Sequence, residues 1–191
     1  INQLLFSVGM FVLIWINFID GVFTFNLQEN YLSAQFAFLF IGLMRIVDMG
    51  TGVNSQIIAT STYWRFEFFT GIILLSLTIP LNYFLTKTMG ITGTAISNLI
   101  ALSIYNGIRY TFLLRKFNMQ PFNIKSFYII ILGILCYLAC HFLFSEFQGF
   151  LWIVVRSSVF VILYISGVIL LKISPDIVPI WQTVASRLRR H

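Results

Sequence analysis

Residues 36–54 read FAFLFIGLMRIVDMGTGVN, an apolar run that carries Arg45 and Asp48 one helical turn apart. A charged side chain at mid-membrane costs about 2.5–3.5 kcal/mol on insertion scales, so a charged pair in such a run indicates a specific role. Helical spacings of three and four place the polar and small residues on one stripe. That stripe comprises Gly42, Arg45, Asp48, Gly52, Ser55 and Gln56. The pattern predicts a helix with one wet or protein-buried face and one apolar face.

The composition extends this interpretation to the whole chain. Of 191 residues, 59% are hydrophobic and 9% are charged, and the mean hydropathy is +0.91. A soluble domain is about 45–50% apolar and about 25% charged, so these values exclude a soluble protein and indicate an integral membrane protein. The chain begins with Ile1 and has no signal-peptide pattern, from which we expect a piece of a longer protein.

Segments long and apolar enough for membrane helices, which need about 20 residues, recur along the chain. They cover approximately residues 4–19, 33–62, 66–85, 91–114, 127–144 and 150–171. These runs are too long and too uniformly apolar for the alternating strands of a membrane barrel. The predicted fold class is therefore all-α, a polytopic transmembrane helical bundle of about six spans.

The distribution of Lys and Arg predicts the orientation. If the spans alternate, one side collects Arg65, Arg115, Lys116, Lys125, Lys172, Arg187, Arg189 and Arg190. The other side collects Asp20, Glu29 and Glu146, with Lys87 as the exception. Basic residues favour the cytoplasmic side, so both termini are predicted to be cytoplasmic. Residues 174–191 are interpreted as an amphipathic basic helix on the cytoplasmic leaflet, or as a frayed basic tail.

The polar stripe of the second span is the candidate functional feature. One hypothesis is a polar pathway in which Arg45 meets an anionic substrate group, with Asp48, Asn54 and Gln56 lining the same helix. Arg45 and Asp48 are expected to pair within the helix, which lowers the cost of both charges. The alternatives are a structural ion pair that joins two helices, or a pair near the cytoplasmic interface, where charges cost little.

Helix-breaking residues predict where spans bend. Gly50 and Gly52 are expected to loosen the second span directly after the charged pair. Pro80 lies inside the third span, where it frees a carbonyl and is expected to bend the helix. These residues are the predicted hinges.

The fourth span contains a small-residue face and a polar stripe. Small residues that allow close helix contact recur at Gly93, Ser97 and Ala101. The polar stripe comprises Asn98, Tyr105 and Arg109. The favoured interpretation of Arg109, and also of Arg156 in the sixth span, is a side chain that snorkels to the membrane edge.

Several function classes find no support in the sequence. We find no Gly-rich phosphate loop, HExxH or nucleophile elbow, and the six acidic residues are scattered, so we expect neither an enzyme nor a cofactor. Cys136 and Cys140 are interpreted as small packing residues. His141 is expected to face away from Cys140, and no further Cys or His lies nearby to complete a metal site. The net charge of +6 is interpreted as a result of the orientation in the membrane, which collects basic residues on the cytoplasmic side, and not as a sign of nucleic-acid binding.

Two strings carry a resemblance to a known family, namely RIVDMGTGVN (residues 45–54) and NYFLTKTMGITGTAIS (residues 82–97). They resemble the carboxyl-terminal part of bacterial polysaccharide-biosynthesis membrane proteins, the lipid-linked oligosaccharide flippases of the multidrug/oligosaccharidyl-lipid/polysaccharide (MOP) exporter superfamily. The likeness covers about residues 29–122. It implies a two-lobed bundle of which residues 1–114 form a four-helix part of the second lobe. Residues 115–173 would add two helices, and residues 174–191 the cytoplasmic tail.

The resemblance also implies a function. Such proteins move undecaprenyl-diphosphate-linked oligosaccharides from the cytoplasmic to the periplasmic leaflet of the bacterial inner membrane by alternating access, for polysaccharide or O-antigen biosynthesis. The implied partners are the lipid bilayer, the lipid-linked oligosaccharide, a coupling H⁺ or Na⁺, and an amino-terminal lobe of the same protein. Arg45 is the first candidate for the diphosphate and Arg109 the second, while Asp48 would tune Arg45 or carry the coupling ion. The alternatives are a drug/cation antiporter of the same superfamily and a non-transporting scaffold of a glycan-assembly complex.

Overall fold

The structure, a computed structural model, describes residues 1–25, 34–52, 54–119 and 124–173. These residues form seven helices and no strand. The helices are α1 (Asn2–Thr24), α2 (Gln35–Gly50), α3 (Asn54–Thr60), α4 (Trp64–Met89), α5 (Ile91–Phe117), α6 (Ile124–Phe144) and α7 (Phe150–Leu170). Five of them are long and apolar enough to cross a membrane, and α2 with α3 makes a sixth if the bent pair is one span. The predicted all-α polytopic bundle is confirmed, and the chain is a membrane-embedded protein.

The second predicted span differs from the others because it is broken. Its axis bends by 46° between α2 and α3. Gly50 ends α2, and Gly52 follows with φ +67°, a conformation that glycine adopts without steric cost. By contrast, α4 continues through Pro80 as one helix. The predicted tail helix at residues 174–191 lies outside the described residues.

The chain divides into two compact units. One contains Ile1–Gly21 together with α6 and α7, and the other spans Val22–Asn123 and contains α2 to α5. This grouping places most of α1 with α6 and α7, whereas the sequence-based division placed it with the next three spans. The assignment of either unit to a transporter lobe stays a prediction.

The first unit is a three-helix arrangement in which α1 and α7 run antiparallel. Near one end the Tyr164 hydroxyl donates to the Leu5 carbonyl oxygen at 2.9 Å. Towards the other end the Asn17 amide donates to the Ser157 hydroxyl at 3.0 Å. Helices α6 and α7 add the rest of the core, where the free cysteines of α6 are buried as the packing interpretation expects.

The second unit is built on an antiparallel hairpin of α4 and α5, joined at Gly90. A Cβ on Gly93 would collide with the backbone carbonyl of Leu85, so the two helices cross in close contact there. The small residues Gly93, Ser97 and Ala101 are all buried, which confirms the predicted close-packing face. The ring of Phe66 stacks on Phe112 near the opposite end, with centroids 3.9 Å apart. The register of this hairpin decides which polar side chains meet.

Candidate functional site

The candidate site is a buried polar cluster in the second unit, which we call the Arg109 cluster. It comprises Asp48 of α2, Glu67 of α4, and Tyr105, Asn106 and Arg109 of α5. The three residues of α5 lie at spacings of one, three and four, so they share one side of the helix. The hairpin register brings Glu67, near the start of α4, to the level of Arg109, near the end of α5.

Arg109 is the centre of this cluster and is only 5% exposed. Its Nε lies 3.2 Å from Glu67 Oε2, and its Nη1 donates to Asn106 Oδ1 at 3.4 Å. The guanidinium carbon lies 4.5 Å from the centroid of the Tyr105 ring, a cation–π distance. Its Nη2 is buried and finds no hydrogen-bond partner among the described residues. The guanidinium is thus neutralised by Glu67 but retains an unused donor.

A chain of contacts extends from the cluster to the broken span. The Tyr105 hydroxyl donates to Glu67 Oε1 at 3.0 Å. The Asn106 amide nitrogen donates to Asp48 Oδ1 at 3.4 Å, which is long for a hydrogen bond. Asn106 therefore links the guanidinium of Arg109 to the carboxylate of Asp48. The cluster holds two carboxylates and one guanidinium, a set that can accommodate an added cation as well as an anion.

The cluster is buried near one end of the α4–α5 hairpin. Arg109 precedes Arg115 by six residues, which is about 9 Å of helix. Glu67 lies in the first turn of α4. The cluster therefore extends from the first turn of α4 to about two turns from the end of α5, at the hairpin end that carries Arg65, Arg115 and Lys116. Buried charged groups of a membrane helix keep a low energy by pairing, which the contact of Arg109 with Glu67 provides.

The prediction that Arg109 and Arg156 snorkel was wrong for both residues. Arg109 turns inward because Glu67 offers it a counterion. Arg156 is 6% exposed, and its Nη1 lies 2.5 Å from Asp20 Oδ2. It also donates to three main-chain carbonyl oxygens, at 2.9–3.1 Å, namely those of Ile16, Phe144 and Phe147.

The predicted pair of Arg45 with Asp48 does not form, which is a second correction. Among the described residues the ion pairs are Arg109 with Glu67 and Arg156 with Asp20. Arg45 is exposed, whereas Asp48 is half-buried and contacts Asn106. The reason is that Asp48 faces α5 and contacts Asn106, whereas Arg45, one turn earlier on α2, remains exposed.

The other predicted site residues lie at separate places. Asn54 begins α3 and is buried, and its Nδ2 has no partner among the described residues. Gln56 is exposed on α3. Asn98 Oδ1 accepts from Asn82 Nδ2 at 3.3 Å, in a second polar contact nearer to Gly90. The structure thus brings together only Asp48 and Arg109 of the predicted set.

Two members of the cluster were missed in the sequence. Glu67 interrupts the apolar run that opens the third span, and the cost argument applied to Asp48 would have marked it. Asn106 stands between Tyr105 and Arg109, both of which the polar stripe of the fourth span included. The Asn106 amide bridges Arg109 and Asp48, and this role depends on the packing of α2 on α5, which the sequence does not reveal.

No protein-family model, curated protein or solved structure matches this chain. The resemblance to oligosaccharide flippases accordingly stays a prediction.

Proposed function

We propose that this chain is the carboxyl-terminal portion of a lipid-linked oligosaccharide flippase of the MOP superfamily. It would move undecaprenyl-diphosphate-linked glycan from the cytoplasmic to the periplasmic leaflet of a bacterial inner membrane, with both ends of the chain cytoplasmic. The observation that carries the proposal is a buried guanidinium with an unused donor, Arg109, linked through Asn106 to a broken membrane span. Each part of that observation has a role in transport.

The break between α2 and α3 supports a transport path. Irregular backbone at membrane depth is tolerated where it is buried in protein or lines a water-filled cavity. Discontinuous helices form the substrate sites of many secondary transporters. Asp48 lies just before the break, and the buried Asn54 lies just after it with an unpartnered amide nitrogen. Polar groups therefore flank the break on both sides.

The chemistry of Arg109 suits a diphosphate. Charge-assisted hydrogen bonds from a guanidinium to phosphate oxygens are short and strong where water is scarce. In the described state Glu67 serves as the counterion, and a substrate phosphate would compete with it for Arg109. Arg45, the first candidate from the sequence, becomes the second contact in this proposal, because its exposed side chain can meet the substrate or the other lobe.

The drug/cation antiporter is the second candidate, and one observation favours it. The Arg109 cluster has two carboxylates against one guanidinium, and Asp48 has no cationic partner among the described residues. A cationic substrate would bind the carboxylate of Asp48, and the unpartnered Nη2 of Arg109 would have no role in binding it. The same carboxylate would serve as the site of a coupling H⁺ or Na⁺ in the flippase.

The test compares arginine variants in the intact protein, produced in cells that lack the native copy. Surface glycan is measured per unit of protein for Arg109→Gln, Arg109→Lys, Arg45→Ala and Arg45→Lys. Lys87→Gln is the control, because Lys87 is exposed at the opposite end of the hairpin. We expect Arg109→Gln to lower surface glycan at least tenfold at normal abundance and Arg109→Lys to restore part of it.

The outcomes separate the hypotheses. Normal surface glycan at normal abundance for Arg109→Gln removes this residue from the mechanism. Lost abundance instead assigns Arg109 to structure alone. If a variant lowers drug resistance but leaves surface glycan normal, the antiporter is favoured. If vesicles without the protein still translocate labelled lipid-linked glycan at the normal rate, the scaffold is favoured.

A further inference from the structure

A groove on α5, walled in part by α4, shares no lining residue with the Arg109 cluster. It has a volume of ≈ 610 Å³ and runs along α5 from Ile104 past Gly107 to Arg115 and Lys116, with Phe66 of α4 as a further wall. We call it the Gly107 groove. Its volume falls in the range of about 300–1,000 Å³ that is typical of small-molecule sites.

The shape of the groove depends on a missing side chain. Gly107 is exposed, and a Cβ built on it meets no atom within 4 Å. The stacked rings of Phe66 and Phe112 form one wall. The Thr111 hydroxyl donates to the Gly107 carbonyl oxygen at 2.8 Å, so its polar hydrogen is already used within the helix. The groove is therefore an apolar notch without an unsatisfied donor at its centre.

Charge marks one end of the groove. Arg115 and Lys116 are both exposed, and neither forms an ion pair among the described residues. The nearby carboxylate of Glu67 is already held by Arg109 and Tyr105. Lys116 Nζ lies 5.7 Å from the centroid of the Tyr63 ring, which leaves its N–H groups available. The end of the groove is thus cationic and uncompensated.

The length of the groove matches one leaflet. Twelve residues separate Ile104 from Lys116, which corresponds to about 18 Å of helix. The hydrocarbon layer of one leaflet is about 15 Å deep, half of the bilayer core. If the acyl chain of a lipid follows the groove, the headgroup of that lipid would therefore lie at the level of the two basic side chains.

We infer that the Gly107 groove binds one anionic phospholipid from the leaflet at the Arg115 end of the hairpin. One acyl chain lies in the notch over Gly107, and the headgroup phosphate is bound by Arg115 and Lys116. Basic side chains beside a membrane attract anionic lipids in this way. The inference uses only the membrane-embedded state of the chain and does not depend on the transported substrate.

The experiment is lipid binding to the full-length delipidated protein in detergent, followed by native mass spectrometry. The probes are phosphatidylglycerol, phosphatidylethanolamine with the same acyl chains, and inorganic phosphate. Gly107→Leu fills the notch, and Gly71→Leu is its matched control because a Cβ at Gly71 also meets open space. The double variant Arg115→Gln/Lys116→Gln removes the charge, with Lys87→Gln as control.

We expect one phosphatidylglycerol bound more tightly than phosphatidylethanolamine, and no competition by inorganic phosphate. Gly107→Leu removes that bound lipid, while Gly71→Leu retains it. At about fivefold per basic side chain, the double variant weakens phosphatidylglycerol binding about 25-fold. The charge variant is at exposed positions, so it tests the site even if Gly107→Leu folds poorly.

Three results would overturn the inference. If phosphatidylglycerol and phosphatidylethanolamine bind equally tightly, Arg115 and Lys116 do not select an anionic headgroup. Unchanged phosphatidylglycerol binding in both variants places the lipid elsewhere or leaves the groove covered by other parts of the protein. Displacement of the lipid by millimolar inorganic phosphate assigns the basic pair to a soluble anion.

Discussion

Each unit of the molecule buries one arginine beside one carboxylate, but the two guanidiniums differ in how completely they are satisfied. In the first unit Arg156 binds Asp20 and donates to three carbonyl oxygens, leaving only its Nε without a partner. In the second unit Arg109 has Glu67, one long contact to Asn106 and the face of Tyr105, and its Nη2 is unused.

The difference separates a structural ion pair from a candidate binding site. Carbonyl oxygens of α1, of α6 and of the segment after α6 converge on Arg156, so it holds together the end of its unit. Arg109 is bound by side chains, which rotate more readily than main chain, and it keeps capacity for another acceptor. Both guanidiniums keep a buried nitrogen without a partner, so neither burial nor one unfilled donor identifies function. Arg109 differs because a terminal nitrogen, Nη2, is the unfilled one, and because its contacts are all to side chains.

The largest expected effect is at Arg156. Arg156→Met leaves Asp20 buried without its cation and three carbonyl oxygens without a donor. Breaking a buried pair by removing one partner costs about 3–5 kcal/mol, so we expect a strong loss of abundance and of thermal stability. The measurement is the unfolding midpoint of the full-length protein in detergent. An unchanged midpoint would contradict the structural role.

The second prediction concerns the Glu67–Arg109 pair and uses a double-mutant cycle. Glu67→Gln, Arg109→Gln and the double variant are compared in denaturant unfolding. We expect a coupling energy of about 1–3 kcal/mol, smaller than that of the Asp20–Arg156 pair measured in the same way, because fewer groups depend on it. A coupling equal to or above that of the first unit would remove the distinction drawn between the two arginines.

The third prediction concerns the glycines that set helix spacing, and it includes the smallest expected effect, that of Gly167→Ala. A Cβ on Gly93 would meet the rigid main chain of Leu85, whereas a Cβ on Gly167 in the first unit would meet the end of the flexible Leu132 side chain. We expect Gly93→Ala to lower stability by about 1–3 kcal/mol and Gly167→Ala to lower it less. Gly71→Ala serves as the control, since its site is open. The reverse order would show that side-chain repacking costs more than backbone displacement here.

The spans were predictable because hydropathy decides them locally. The third to sixth predicted segments agree with α4 to α7 within a few residues at each end. The break in the second span was also indicated, because Gly50 and Gly52 weaken a helix wherever they occur. The effect of Pro80 was less certain from sequence, since its freed carbonyl leaves a membrane helix either bent or continuous.

The site was only partly predictable because its pairings are remote. Asp48 and Arg45 are neighbours on a helix, which made their pairing the simplest expectation, but the packing of α2 on α5 turns only Asp48 inward. Glu67 and Arg109 are 42 residues apart and meet only because of the register of the α4–α5 hairpin. Asp20 and Arg156 are separated by most of the chain. Single-sequence patterns carry no information on such contacts.

The α4–α5 hairpin also has a consequence for biosynthesis. Among the described residues, α5 supplies the long-range polar partners of Glu67 and Asn82 on α4, and it follows after the single residue Gly90. A helix that entered lipid alone would expose these groups to hydrocarbon, so the favourable order is for the two helices to leave the translocon as one unit. Asp20, whose partner Arg156 is synthesised 136 residues later, requires a temporary neighbour or a late insertion of α1.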